Sequence, residues 1–291
     1  MDTRELLKKV RRIEIKTRGL TTQVFTGEYH AAFKGRGMAF SEVREYQPGD
    51  EIRTIDWNVT ARFNHPYVKV FQEERELSVM LLLDMSGSAD FGTNQLTKRE
   101  LMAEIAAVLA FSAIQNNDKI GLMLFTDHIE LFIPPKKGKS HVLRVIREII
   151  DFEPKSPKTD IAAAVRSFSN TIKRRSIGFL ISDFLAPDCE KALRIASGRH
   201  DMVALHLLDE RETELPNVGW MAFSDPESGE KKWINTASQR VRVQYKADAL
   251  QRNDSIRKML QRSGVDFTTI HTGSDYIRPL MGLFKRRERA A

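Results

Sequence analysis

The sequence predicts an α/β protein in which a mostly parallel central sheet, with one antiparallel edge strand, carries helices on both faces behind an N-terminal accessory α+β segment. Three observations predict it. From Leu77 onward, compact apolar runs alternate with amphipathic stretches, as buried strands alternate with crossover helices. The apolar runs 120–125 and 129–133 are parted only by Thr126-Asp127-His128, too short for a parallel crossover but right for a hairpin. Ahead of Leu77 the chain is instead dense in charge and turn residues, with Pro48-Gly49-Asp50 as the clearest turn.

In chain order, Leu6, Leu7, Val10, Ile13 and Ile15 recur among charges at near-helical spacing, which predicts a docking helix over 4–18. Residues 68–71 read as a short strand within the irregular segment. Strands follow at 79–83, 120–125, 177–181, 202–208 and 265–270, each an apolar or β-branched run of strand length. Helical patterns lie at 97–116, 140–151, 160–174, 187–197 and 237–262; the first opens on Thr97-Lys98-Arg99-Glu100, a capping box. Between 209 and 236, Trp220 to Phe223 and Lys232 to Ile234 flank Asp225-Pro226-Glu227-Ser228-Gly229, which predicts an inserted β-hairpin. The expected division is an accessory segment over 1–76 and a larger domain over 77–291.

Composition narrows the function classes. The 291 residues are 41% hydrophobic and 29% charged, enough for a sizeable core, and the longest apolar runs fall well short of the ~20 residues of a membrane-spanning helix. The first nine residues already mix acidic and basic charge where a secretory signal needs an apolar stretch. One cysteine, Cys189, excludes an intramolecular disulfide and a cysteine-based zinc cluster. A cytoplasmic protein is expected. The net charge of +7 includes clusters at Lys8-Lys9-Val10-Arg11-Arg12, Lys173-Arg174-Arg175 and Lys285-Arg286-Arg287, which read as solvated helix faces.

The candidate chemistry begins where the run 79–83 ends in Asp84-Met85-Ser86-Gly87-Ser88. That places a carboxylate and two hydroxyls at the carboxyl end of a central strand, where open α/β sheets hold ligands. Carboxylate and hydroxyl oxygens are hard donors of the kind Mg²⁺ favours. Thr159, just ahead of the helical pattern at 160–174, and Asp183, just past the run 177–181, converge on the same end of the sheet. Asp160 fits either an outer acceptor for metal-bound water or a helix-terminal charge, the second being favoured.

Asp84, Ser86, Ser88, Thr159 and Asp183 together resemble the metal-ion-dependent adhesion site of the von Willebrand factor A (vWA) domain, a turn of pattern Asp-x-Ser-x-Ser followed by a distant Thr and a distant Asp. The resemblance covers roughly residues 77–285 and implies a bound Mg²⁺ or Mn²⁺. Upstream, Gly35-Arg36-Gly37 to Phe40, Val43-Arg44-Glu45-Tyr46-Gln47-Pro48-Gly49-Asp50, Arg53-Thr54-Ile55-Asp56-Trp57 and Ala61-Arg62 are similar to the signature of the bacterial domain-of-unknown-function family fifty-eight, which directly precedes a vWA domain. The alternating charges there fit an internal ion-pair network or a partner-binding surface. Family members are typically encoded beside MoxR-type AAA+ ATPases. The resemblance thus implies a non-enzymatic interaction module serving such an ATPase and an unidentified client protein, with ATP hydrolysis belonging to the partner.

Other readings fare worse. Gly138-Lys139-Ser140 lacks the first glycine of a P-loop, whose place is taken by Ile133 ahead of Pro134 and Pro135. A phosphatase of the haloacid dehalogenase type, the form a metal-dependent phosphoryl-transfer enzyme would take here, needs an Asp where Ser86 stands. Ser86 lacks the G-x-S-x-G context of a nucleophile. The seven histidines form no metalloprotease spacing, and His206 in particular reads as a strand residue. Basic nucleic-acid binding rests on charge alone, and that charge is scattered among Asp and Glu.

Overall fold

In the computed structural model, the described residues are Tyr29, Ala32, Phe33 and the segments 39–50, 52–63, 65–72, 77–93, 96–186, 189–224 and 230–290. The docking helix expected over 4–18 lies outside them. The chain divides into two compact units, residues 34–76 and a larger unit that contains Tyr29, Ala32, Phe33 and everything from Leu77 on.

In the smaller unit, β1 (Ala39–Glu45) pairs antiparallel with β2 (Tyr67–Gln72), with a register shift between Phe40 and Glu42. The Pro48-Gly49-Asp50 turn is fixed by Asp50, which accepts two bonds from the Arg44 guanidinium (2.8 and 2.7 Å) and one from the Gln47 amide (2.9 Å). Asp56 caps the short helix α1 (Trp57–Phe63) by accepting from Asn58 and Val59 N–H. The Arg44–Asp50 ion pair of the signature is therefore internal to the unit, whereas Trp57 is 67% exposed.

The larger unit is built on β3 (Ser78–Asp84), β4 (Lys119–Phe125), β5 (Ile129–Lys136), β6 (Ile177–Ser182), β7 (Asp201–Leu208) and β10 (Asp266–His271), in the order β10-β7-β6-β3-β4-β5. All neighbours are parallel except β4 and β5. Period-two alternation divides the buried side chains between two faces. Val79, Leu81 and Leu83 pack with α2 (Lys98–Gln115), α3 (Lys139–Asp151) and α7 (Ile277–Ala290), while Met80 and Leu82 pack with α4 (Ile161–Thr171), α5 (Glu190–Arg199) and α6 (Gln239–Arg262). The capping box of α2 forms as expected at Thr97 and Glu100. The insertion contributes β8 (Trp220–Ser224) and β9 (Lys231–Asn235) as a separate antiparallel pair. Helix α7 has no counterpart in the sequence expectation. Among the described residues no helix is long and apolar enough to cross a membrane.

The buried histidine at position 200 contributes to a pH signature of the fold. His200 packs its ring 4.4 Å from that of Phe168, and neither ring nitrogen has a hydrogen-bond partner among the described residues. Burial first, then the positive charges of Arg199 and Arg175, lower its pKa from 6.5. A lowered base means that the unfolded chain takes up the proton first, so this contribution to stability is present above pH 6.5 and is lost as pH falls toward the folded-state value. His200→Phe should reduce the slope of melting temperature against pH in that window without abolishing it, because His206, lowered by burial to about 4, titrates there too; an unchanged slope would place the titration elsewhere.

Candidate metal centre

Three loop ends meet at the carboxyl edge of the sheet. The first leaves β3 at Asp84, where the Met85 amide still bonds to the Phe125 carbonyl of β4 (2.8 Å). The chain then turns, so that Ser86 N–H donates to Asp84 Oδ1 (3.1 Å) and residues Gly87–Asp90 form one turn of 3-10 helix. The Gly87 amide bonds to the Pro157 carbonyl (2.8 Å), which ties the second loop, bearing Thr159, to the first. The third loop follows β6, and Phe184 there holds a positive φ of 56°. Ser182 Oγ accepts from Phe184 N–H (2.9 Å) and Asp183 Oδ1 from Leu185 N–H (3.2 Å), which fixes that uncommon conformation.

The five expected residues come together. Thr159 Oγ1 donates to Asp84 Oδ2 (3.1 Å), Ser86 Oγ and Ser88 Oγ lie 3.2 Å apart, and Ser88 is near enough to Asp183 to help lower its pKa. All five are buried. Asp160 caps α4 through a bond from the Ala163 amide (2.8 Å), which is the helix-terminal role. His206 is a buried residue of β7, held neutral by burial, which lowers its pKa to about 4.

Three further groups complete the cluster. Ser182 Oγ donates to Asp84 Oδ2 at 2.7 Å. Lys98, in the first turn of α2, reaches Asp183 Oδ2 at 2.8 Å and pairs with Glu212. The signal for Ser182 was in the sequence, as the residue between an apolar strand and Asp183. For Lys98 there was none, since it stands 85 residues from Asp183 and 114 from Glu212.

The electrostatics separate the two aspartates. Burial, then the nearby Asp183 charge, raises the Asp84 carboxyl above its usual range despite the bonds from Ser182 and Ser86. Burial also pushes Asp183 upward, but the Lys98 ammonium, the bonds from Lys98 and Leu185, and the nearby Ser88 hydroxyl outweigh it and hold the carboxyl low. Lys98 stays charged because its two carboxylate partners overcome its burial. Asp84 is thus the carboxylate in want of a cation.

The donor set fits a hard divalent ion. Two cis ligands of an octahedral Mg²⁺ at about 2.0–2.1 Å stand roughly 2.9 Å apart, and the two serine hydroxyls are 3.2 Å apart. Asp84, Ser86, Ser88 and Thr159 would offer oxygens to the ion, and Asp183 would balance its charge directly or through water. Among the described residues there is no group of three or more His, Cys, Asp or Glu suited to a metal, so the candidate depends on its hydroxyls.

A family model described as protein of unknown function DUF58 matches residues 42–255. The chain belongs to this family. An uncharacterized protein of Mycobacterium tuberculosis strain H37Rv is 30% identical over 295 residues, covering all of this chain and 92% of its relative. The crystal structure of an aerotolerance-related membrane protein from Bacteroides fragilis matches with a TM-score of 0.50 at 15% identity, over 74% of this chain and 100% of that one. The SpRpn10 VWA domain also matches, with a TM-score of 0.41 at 13% identity over 73% and 95% of the respective chains. With its strand order and single antiparallel edge pair, this DUF58 protein has a vWA-like fold.

Proposed function

We propose that this DUF58 protein is a non-enzymatic interaction module whose contact with its partner passes through a Mg²⁺ or Mn²⁺ ion held by Asp84, Ser86, Ser88, Thr159 and Asp183. The observation that carries the reading is the convergence of five hard oxygen donors from three loops at the carboxyl end of the sheet, where Asp84 accepts from Ser86 N–H, Thr159 Oγ1 and Ser182 Oγ, and Ser86 bonds to Ser88. Five groups leave one position of a six-coordinate ion free for a carboxylate of the partner. Such a contact joins opposite charges in a partly dehydrated site, where charge-assisted bonding is strong. The partner is a MoxR-type AAA+ ATPase, acting with this protein on a client complex, and the ATPase supplies the hydrolysis.

The test is titration of such an ATPase with and without chelator, on variants confirmed as folded by circular dichroism. With Mg²⁺ present, Asp84→Ala should weaken binding more than about tenfold, or about 1.4 kcal/mol. Thr159→Ala should fall between wild type and Asp84→Ala, because it removes one neutral ligand and leaves both anions. Lys136→Ala, at the end of β5 in the segment that imitates a P-loop, should bind as wild type does. Equal affinity in all arms would move the contact to the Arg44–Trp57 segment.

A further inference from the structure

Lys98 is an expensive residue where it stands. Its side chain is 1% exposed, and an ammonium taken out of water costs several kcal/mol unless well paired. It also occupies the first position of α2, where the helix dipole disfavours a cation. Its ammonium is spent on two carboxylates, Asp183 Oδ2 at 2.8 Å and Glu212 Oε1. Neither is a local neighbour in sequence, and one belongs to the candidate metal centre.

Glu212 is held as firmly as Asp183. It closes a capping box in which its carboxylate accepts from the Asp209 amide (2.9 Å). Asp209 is in turn fixed by Thr93 Oγ1 and Thr272 Oγ1, both at 2.6 Å. The ammonium therefore lies between two anchored anions, one that would serve the metal and one that would not. With the divalent ion absent, Asp84, Asp183 and Glu212 face, among the described residues, the single ammonium of Lys98. With it present, three negative charges meet three positive ones.

Building on the metal reading above, we propose that Lys98 is an internal counter-cation that competes with the divalent ion for Asp183, and that Glu212 retains the ammonium when the ion enters. Lys98 and Glu212 then set the affinity of the metal centre without ligating it. Because Glu212 lies in the first turn of the insertion that carries β8 and β9, the same carboxylate links the metal centre to that insertion.

The two residues should act on metal affinity with opposite signs, and not independently. In calorimetric titrations with Mn²⁺, Lys98→Met should bind about tenfold tighter than wild type, because the competitor is gone while its apolar packing stays. Glu212→Gln should bind about tenfold weaker, because an ammonium released by Asp183 then has no anion to receive it. In the double variant the effect of Glu212→Gln should largely vanish. A purely long-range influence of the Glu212 charge would weaken binding equally in both backgrounds, and that result overturns the proposal. So does a Lys98→Met protein that binds Mn²⁺ no tighter than wild type, an outcome that a merely structural lysine would give. If Lys98→Met does not fold, Glu212→Gln decides alone, and binding there at wild-type strength or tighter overturns the proposal. Mn²⁺ binding in wild type without these shifts leaves the metal reading standing. Binding in Lys98→Met alone supports the competition and removes the metal dependence of the wild type. Silence in every variant overturns both.

Discussion

Phe33→Ala should destabilise the larger unit by about 3–5 kcal/mol, the range for deleting a buried aromatic side chain. Phe33 is 5% exposed. Its ring lies 5.6 Å from Phe179 of β6 and 5.5 Å from Phe284 of α7, and the Arg287 guanidinium sits 4.5 Å above it. Arg287 is itself held by Asp201 at 2.7 and 2.6 Å, so the cation stays in place and the cavity cannot easily collapse around the lost ring. Tyr29, fully buried and 5.9 Å from Phe284, extends the cluster. Residues that precede the family signature are thus core residues of the larger unit, and a fragment beginning at Leu77 should lose more than the point variant. Urea denaturation measures both. A loss below about 1 kcal/mol for Phe33→Ala would remove Tyr29 and Phe33 from the core.

The second large effect is at Asp84, where stability and function should separate. At about a hundred times its dissociation constant, Mg²⁺ should stabilise wild type by about 2.7 kcal/mol, and chelator should reverse this. Asp84→Ala should show no response and should also be less stable without metal, because Thr159 Oγ1, Ser182 Oγ and the Ser86 amide lose their acceptor. Asp84→Asn keeps an acceptor oxygen but cannot ionise. Burial and the Asp183 charge raise the Asp84 carboxyl, so its contribution to stability is full below the ordinary carboxylate range and is lost as pH rises through the folded value. At neutral pH the metal-free Asn variant should therefore be at least as stable as metal-free wild type, and indifferent to Mg²⁺. Differential scanning calorimetry with and without chelator distinguishes these cases. An Asp84→Asn protein that still gains stability from Mg²⁺ would place the ion elsewhere.

Much of this architecture is written locally. The five parallel strands are apolar runs short enough to be strands and bounded by turns, and the three-residue link 126–128 forces β5 to run antiparallel. The five site residues were legible because each stands at an element end that the hydrophobic pattern marks. Helix α7 was not, since Pro279 and the run Lys285-Arg286-Arg287 mask a short apolar stripe of Leu280, Leu283 and Phe284. Lys98 was hidden differently: within the capping box it is an interchangeable middle residue, and only the tertiary fold turns it inward to Asp183 and Glu212. The helical pattern marked Asp160 as a terminus residue but left open which partner its carboxylate took; the bond from the Ala163 amide is what assigns it to the cap.

The most direct test of the central claim is anomalous diffraction from crystals of the protein soaked in Mn²⁺. One strong peak is expected, bounded by Ser86 Oγ, Ser88 Oγ and Asp84, with ligand distances of about 2 Å, and absent from Asp84→Ala crystals soaked in the same way. Soaked wild-type crystals with no peak at this cluster, or with manganese bound only at exposed carboxylates elsewhere, would contradict it.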